Sequence, residues 1–177
     1  MKLRTNYWNK LFLFSLGMFL GTAFCMKWME ADFWVGNDKF TIVGLEIFYP
    51  RERIITLLNS LDNRVRTILS YHLYFDFAFM AGAYPGISSL CMITRAKTTV
   101  PSLSKLLLVV AFLQMLAWAG DIIENFYLLQ WLRHPAINES TFAFYHFVVI
   151  LKWFIAIGGV LCCTVIFLLR KFGSKNT

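Results

Sequence analysis

The sequence predicts an all-α protein built as a bundle of four transmembrane helices, with a short outer loop subdomain made of an extended piece and an amphipathic helix. Three observations predict it. Of the 177 residues, 58% are hydrophobic and 18% aromatic, a balance that water-soluble domains of this size rarely reach. Four apolar segments, roughly residues 11–26, 68–93, 106–132 and 142–169, run along the chain, and about 20 residues suffice to cross the hydrocarbon core. Charge then sorts by segment. The N-terminus (Lys2, Arg4, Lys10), the second connection (Arg95, Lys97, Lys105) and the tail (Arg170, Lys171, Lys175) carry only basic residues, with no acid among them. The remaining connections, 27–66 and 133–139, hold 7 basic and 7 acidic residues. The positive-inside rule therefore expects a multi-pass membrane protein with both termini in the cytoplasm. The net charge of +7 is then a product of topology, favouring contact with anionic lipid and giving no reason to expect nucleic acid. Residues 1–177 are read as one membrane domain, with the outer loop 27–67 inside it.

The first span is the shortest, and two readings stay open. Lys2, Arg4 and Lys10 followed by Leu11–Leu20 and a small-residue site at Gly21-Thr22-Ala23 have the form of a cleaved signal peptide. As a retained helix, the same segment presents Gly17 and Gly21 on one face, which suits packing against a neighbour. The outer loop follows. "KFTIVGLEIF", residues 39–48, is β-branched and aromatic and reads as an extended or hairpin piece. "YPRERIITLLNSLDNRVRTIL", residues 49–69, begins a helix at Pro50. It carries an apolar stripe of Ile54, Leu57, Leu58, Leu61, Val65 and Ile68, which expects an amphipathic helix lying on the membrane or capping the bundle and running straight into the second span.

Within the second span, "MAGAYPGISS" combines a Gly82/Gly86 small-residue pair with Pro85, which removes a backbone donor and expects a bend beside a packing notch. Pro101 and Ser102 open the third span, "RHPAINES" makes a short turn, and Arg170-Lys171 anchors the end of the fourth. The four cysteines, Cys25, Cys91, Cys162 and Cys163, form no C-x-x-C pattern. No pair is placed by the sequence for a disulfide, so they read as small apolar residues.

The spans also contain charge. At 1.5 Å per residue, Asp76 lies about 12 Å, Glu124 about 11 Å, Asp121 about 15 Å and Lys152 about 15 Å below the outer surface on three different helices. Asp121 and Glu124 are three apart, with Asn125 one step on. His72 and Asp76 are four apart. Tyr145, Val149 and Lys152 share a third face. A lone charge in hydrocarbon costs about 3 kcal/mol on insertion scales, so these side chains are expected to face one another. Three carboxylates against one ammonium leave excess negative charge, which expects protonation of an acid, a charged His72 or His146, or a bound cation. The polar cluster, taken as a set of ligand-binding candidates, is therefore Asp76, Asp121, Glu124, Asn125, Lys152, Tyr84, His72 and His146. His72 and His146 have no metal-ligand spacing, and no phosphate loop, nucleotide fingerprint or nucleophile elbow occurs, so no metal and no cofactor are expected and no catalytic residue is assigned.

The run "FTIVGLEIF", an amphipathic helix, "RVRTILSYHLYFDFAFMAGAYPG", "AGDIIEN" and the lysine of "LKWF" resembles a group of small bacterial four-helix integral membrane proteins with an Asp and a Tyr in the second helix, a D-x-x-E-N run in the third and a Lys in the fourth. The resemblance covers most of the chain, though each motif is short. It implies a place in the bacterial inner membrane and importance for Asp76, Tyr84, Asp121, Glu124, Asn125 and Lys152, and it implies no activity. A weaker analogy is to four-helix sterol-isomerase-like proteins, which bury acids beside lipophilic ligands. The expected role is a component that binds a ligand or lipid, or supports complex assembly, with membrane lipids, a small lipophilic ligand or another membrane protein as partners. The alternative is a membrane enzyme using the carboxylates for acid–base chemistry on a lipophilic substrate.

Overall fold

A computed structural model describes the backbone of residues 2–173 and the side chains of 6–169. Lys175 lies outside the described residues, as do the side chains of Lys2, Arg4, Arg170 and Lys171, on which the charge asymmetry partly rests. The chain forms four long helices: α1 (Lys2–Met29), α3 (Asn63–Ala96), α4 (Pro101–Arg133) and α5 (Glu139–Gly173), with a short α2 (Arg51–Ser60) between the first two. Four stretches, Asn6–Asp32 (α1 and the 3-10 turn that follows it), Asn63–Ala96, Pro101–Arg133 and Glu139–Leu169, are long and apolar enough to cross a membrane. Helix α3 is the hub: α1 packs on it, α4 and α5 pack on it and on each other.

The contact between α1 and α3 depends on glycine, but on a different pair from the one on α1. A Cβ at Gly82 would come within 2.6 Å of the Phe19 backbone nitrogen and 2.9 Å of the Ser15 carbonyl oxygen, and one at Gly86 would lie 3.3 Å from Ser15 Cβ. The Gly82/Gly86 notch is thus filled by α1 of the same chain. Gly17 and Gly21 have no atom within 4 Å of where a Cβ would stand, so their face is not the one packed against α3. Helix α1 otherwise presents apolar side chains outward, among them Leu13, Phe14, Leu20, Phe24 and Trp28. Such a surface suits lipid and would be costly in water. Helix α3 is continuous through Pro85. The hydroxyls of Ser89 and Ser88 donate to the carbonyls of Pro85 and Ala111 (2.5 and 3.0 Å).

The loop between α1 and α3 departs from the sequence reading in two places. The extended piece lies upstream of residues 40–48: Trp34–Val35 (β1) pairs antiparallel with Asp38–Lys39 (β2) about a turn in which Gly36 takes φ +58°, a conformation glycine adopts at no steric cost. "GLEIF", Gly44–Phe48, instead coils into a widened helical turn. Its β-branched composition is overridden because Leu45 is buried and the Tyr49 ring closes over Gly44, where a side chain would have to displace the ring. The second departure is a break in the amphipathic helix. Leu61 and Asp62 are extended (ψ 128° and 167°), and the Asp62 carboxylate accepts from the Val65 amide (2.7 Å), capping a new helix. The apolar stripe survives the break: Ile54, Leu57, Leu58, Leu61 and Val65 are buried with Leu128, Trp131 and Leu132 of α4 in one cluster, so α2 caps the bundle. Arg66 holds this corner, its guanidinium donating to the carbonyls of Leu58 (2.7 Å) and Leu132, and Arg51 donates to the Ile137 carbonyl (3.1 Å).

Candidate functional site

The site forms where α3, α4, α5 and the coiled turn meet. Lys152 projects from α5 on the same buried face as Tyr145 and Val149 and is only 5% exposed. Its ammonium pairs with Asp121 Oδ1 and lies 2.5 Å from Glu124 Oε2, both from α4, where three-residue spacing puts the two carboxylates on one face. A third carboxylate comes from outside the spans: Glu46 Oε2 lies 3.7 Å from Lys152 Nζ and accepts from the Trp153 indole (3.2 Å). The Tyr145 hydroxyl donates to the Leu45 carbonyl (3.3 Å), which seats the turn against α5.

Tyr84, one residue before Pro85 on α3, donates to Asp121 Oδ2 (2.7 Å). Asp76, two helical turns earlier on α3, sits beside this group without pairing with Lys152. Its Oδ2 accepts from the Asn125 amide (2.7 Å), which also lies 3.3 Å from the Leu73 carbonyl. Glu124 is fully buried, and among the described residues its Oε1 has no hydrogen-bonding partner.

Six of the eight residues singled out by the sequence thus come together: Asp76, Tyr84, Asp121, Glu124, Asn125 and Lys152. The two histidines do not. His72 is buried against Phe33, with ring centroids 5.3 Å apart, and its Nε2 stands 3.9 Å from Glu30 Oε1. His146 stacks on Phe142 and is half-buried. Four-residue spacing grouped His72 with Asp76, but the two lie one turn apart along α3, and His72 meets the Phe33 and Glu30 end of the molecule instead of Lys152. Glu46 and Trp153 were missed. The signal for Glu46 was its place as the sole charge in an otherwise apolar nine-residue run; a loop glutamate there must either stay wet or find a buried cation. Burial holds its carboxyl above the ordinary value of 4.5, with Lys152 working against the shift.

Counted formally, Glu46, Asp76, Asp121 and Glu124 stand against one ammonium. The excess negative charge exceeds that read from the spans alone. In low dielectric it must be relieved by protons or by a cation.

One wall of a 390 Å³ cavity is built from this group, namely Glu46, Asp76, Tyr84, Asp121, Lys152 and Trp153. The rest of its lining is apolar. Phe19 and Met26 come from α1, Phe79, Ala83 and Ile87 from α3, and Ala156, Ile157, Val160 and Leu161 from α5. Ile157 and Leu161 are themselves more than half exposed, so the cavity is a cleft between α1 and α5 over the surface of α3. A second hollow of 220 Å³ shares Phe19, Ala83, Ile87 and Val160 and continues it past Gly82 and Gly86 with an almost wholly apolar lining. Among the described residues no group of three or more His, Cys, Asp or Glu side chains is placed to hold a metal ion. Compared with protein-family models, curated proteins and solved structures, the chain has no match.

Proposed function

We propose that this chain binds a membrane amphiphile in the cleft between α1 and α5, with the polar end of the ligand at Asp76, Asp121 and Lys152 and its apolar tail along α3. The single observation that supports this reading is the division of the cavity: charged at one end, apolar for the rest of its length. The volume of 390 Å³ falls within the range of small-molecule pockets, which combine an apolar lining with a few convergent polar groups. A network serving only to fix helix packing has no need of the adjoining space. The chain takes this ligand as a multi-pass membrane protein whose termini and 97–105 connection face the cytoplasm and whose cleft head lies in the outer half of the bilayer.

The test is lipid retention. The chain, purified in mild detergent, is expected to carry a co-purifying amphiphile detectable by mass spectrometry of the organic extract. Ala83→Phe, which fills the cleft, is expected to lose it. An unchanged extract from the filled cleft would remove the reading. The Tyr84–Asp121 hydrogen bond on the cavity wall favours a second reading, acid–base catalysis on the same ligand. Time-dependent loss of one species from a lipid extract, abolished by Tyr84→Phe, would support it.

A further inference from the structure

We infer that the cleft selects an amphiphile with a protonated amine at its head, the nitrogen donating to Asp76. The inference rests on the cleft reading above and adds the chemistry of the ligand. It follows from an inventory of donors and acceptors on the polar wall.

Every side-chain donor there is already committed. Lys152 faces Asp121, Glu124 and Glu46; Tyr84 donates to Asp121; Trp153 donates to Glu46; Asn125 donates to Asp76. The acceptors are in surplus. Among the described residues nothing donates to Asp76 Oδ1 or to Glu46 Oε1, and Asp76 has no ion-pair partner. Both side chains line the cavity, and Asp76 is 8% exposed. A lysine has three donor protons and a carboxylate only acceptor sites, so a wall of this composition can satisfy a donor head and has nothing left for an anionic one. A hydroxyl head would fill the hydrogen-bonding vacancy. An ammonium would also offset the excess of carboxylates over Lys152, and charge-assisted bonds are about twice as strong as neutral ones.

The rest of the cleft gives an apolar tail a seat along α3, and the smaller hollow past Gly82 extends it.

The experiment compares dodecylamine, dodecanol and dodecanoate at pH 7 for binding to the full chain in detergent, with apparent Kd read by native mass spectrometry. The amine is expected to bind about tenfold more tightly than the alcohol, the difference of roughly 1.4 kcal/mol that a charged donor adds, and the acid more weakly still. Asp76→Asn keeps an oxygen for Asn125 and removes the charge; it is expected to bring the amine to the level of the alcohol. Glu46→Gln is the second variant, expected to lower the preference in the same direction. Equal binding of all three ligands, or preference for the acid, overturns the amine inference. The cleft reading stands in that case provided Ala83→Phe and Ala156→Phe, on facing walls, abolish binding of every ligand. Binding that neither filled cleft disturbs overturns both.

Discussion

At the scale of single residues, Lys152 is the side chain on which the polar group depends. It is the only cation facing Asp121, Glu124 and Glu46 among the described residues, and all four are largely buried. Removing one partner of such a group leaves the others uncompensated. Lys152→Met is expected to destabilise the fold by about 3–5 kcal/mol, read as a loss of thermal stability in detergent. Tyr84→Phe deletes one donor to an acid that keeps its ammonium and is expected to cost only about 1 kcal/mol. A result in which Tyr84→Phe costs as much as Lys152→Met would contradict this ranking. Glu46 carries the pH dependence. Its carboxyl in the folded chain is raised above the ordinary 4.5 by burial, partly opposed by Lys152. A raised acid contributes stability that is complete below its unfolded value and is lost as pH rises through its folded one. Hydrogen exchange of Gly44–Phe48 is therefore expected to quicken, beyond the intrinsic pH trend, as pH climbs above 4.5, and Glu46→Gln is expected to flatten that response. The sequence made Asp121, Glu124 and Lys152 legible because helical spacing fixes facing within one helix. It could not show Glu46, because nothing local tells where a loop residue ends up.

At the scale of elements, two joints hold the arrangement. The first is the Leu61–Asp62 break, which turns α2 across the end of the bundle. Asp62→Ala removes the cap on α3 and is expected to cost about 1 kcal/mol. The apolar stripe through residues 54–68 was legible as a helical face, but a stripe is continuous across a capped break as readily as along one helix. The second joint is the Gly82 notch. Its neighbours are Phe19 and Ser15 backbone atoms, which cannot rotate away. Gly82→Val is expected to push α1 from α3, costing about 1–3 kcal/mol and widening the cleft mouth. A cysteine pair spanning Ser15 and Gly86, cross-linked in the parent chain, should then lose its cross-link. Between α3 and α5, Cys91 Sγ and Cys163 Sγ are 3.2 Å apart with both thiols free, a pairing no sequence spacing indicated.

At the scale of the whole molecule, four helices are long and apolar enough to cross a membrane, and the topology proposed above, in which all four cross, puts both termini in one compartment. A phosphatase or fluorescent reporter at either end is expected to give the cytoplasmic signature, and one in the 134–138 turn the opposite. Opposite signals from the two ends would mean that one of the four helices does not cross. The sequence by itself determined the four apolar helical segments and the presence of buried charge that must be compensated, because apolar runs and the cost of charge in hydrocarbon act along a single segment. Tertiary structure alone decided that α1 packs chiefly against α3, that a loop glutamate reaches Lys152, that His72 and His146 turn elsewhere, and that a cleft opens beside the acids. Those outcomes depend on how helices rotate and meet, which is set by contacts between residues far apart in the chain.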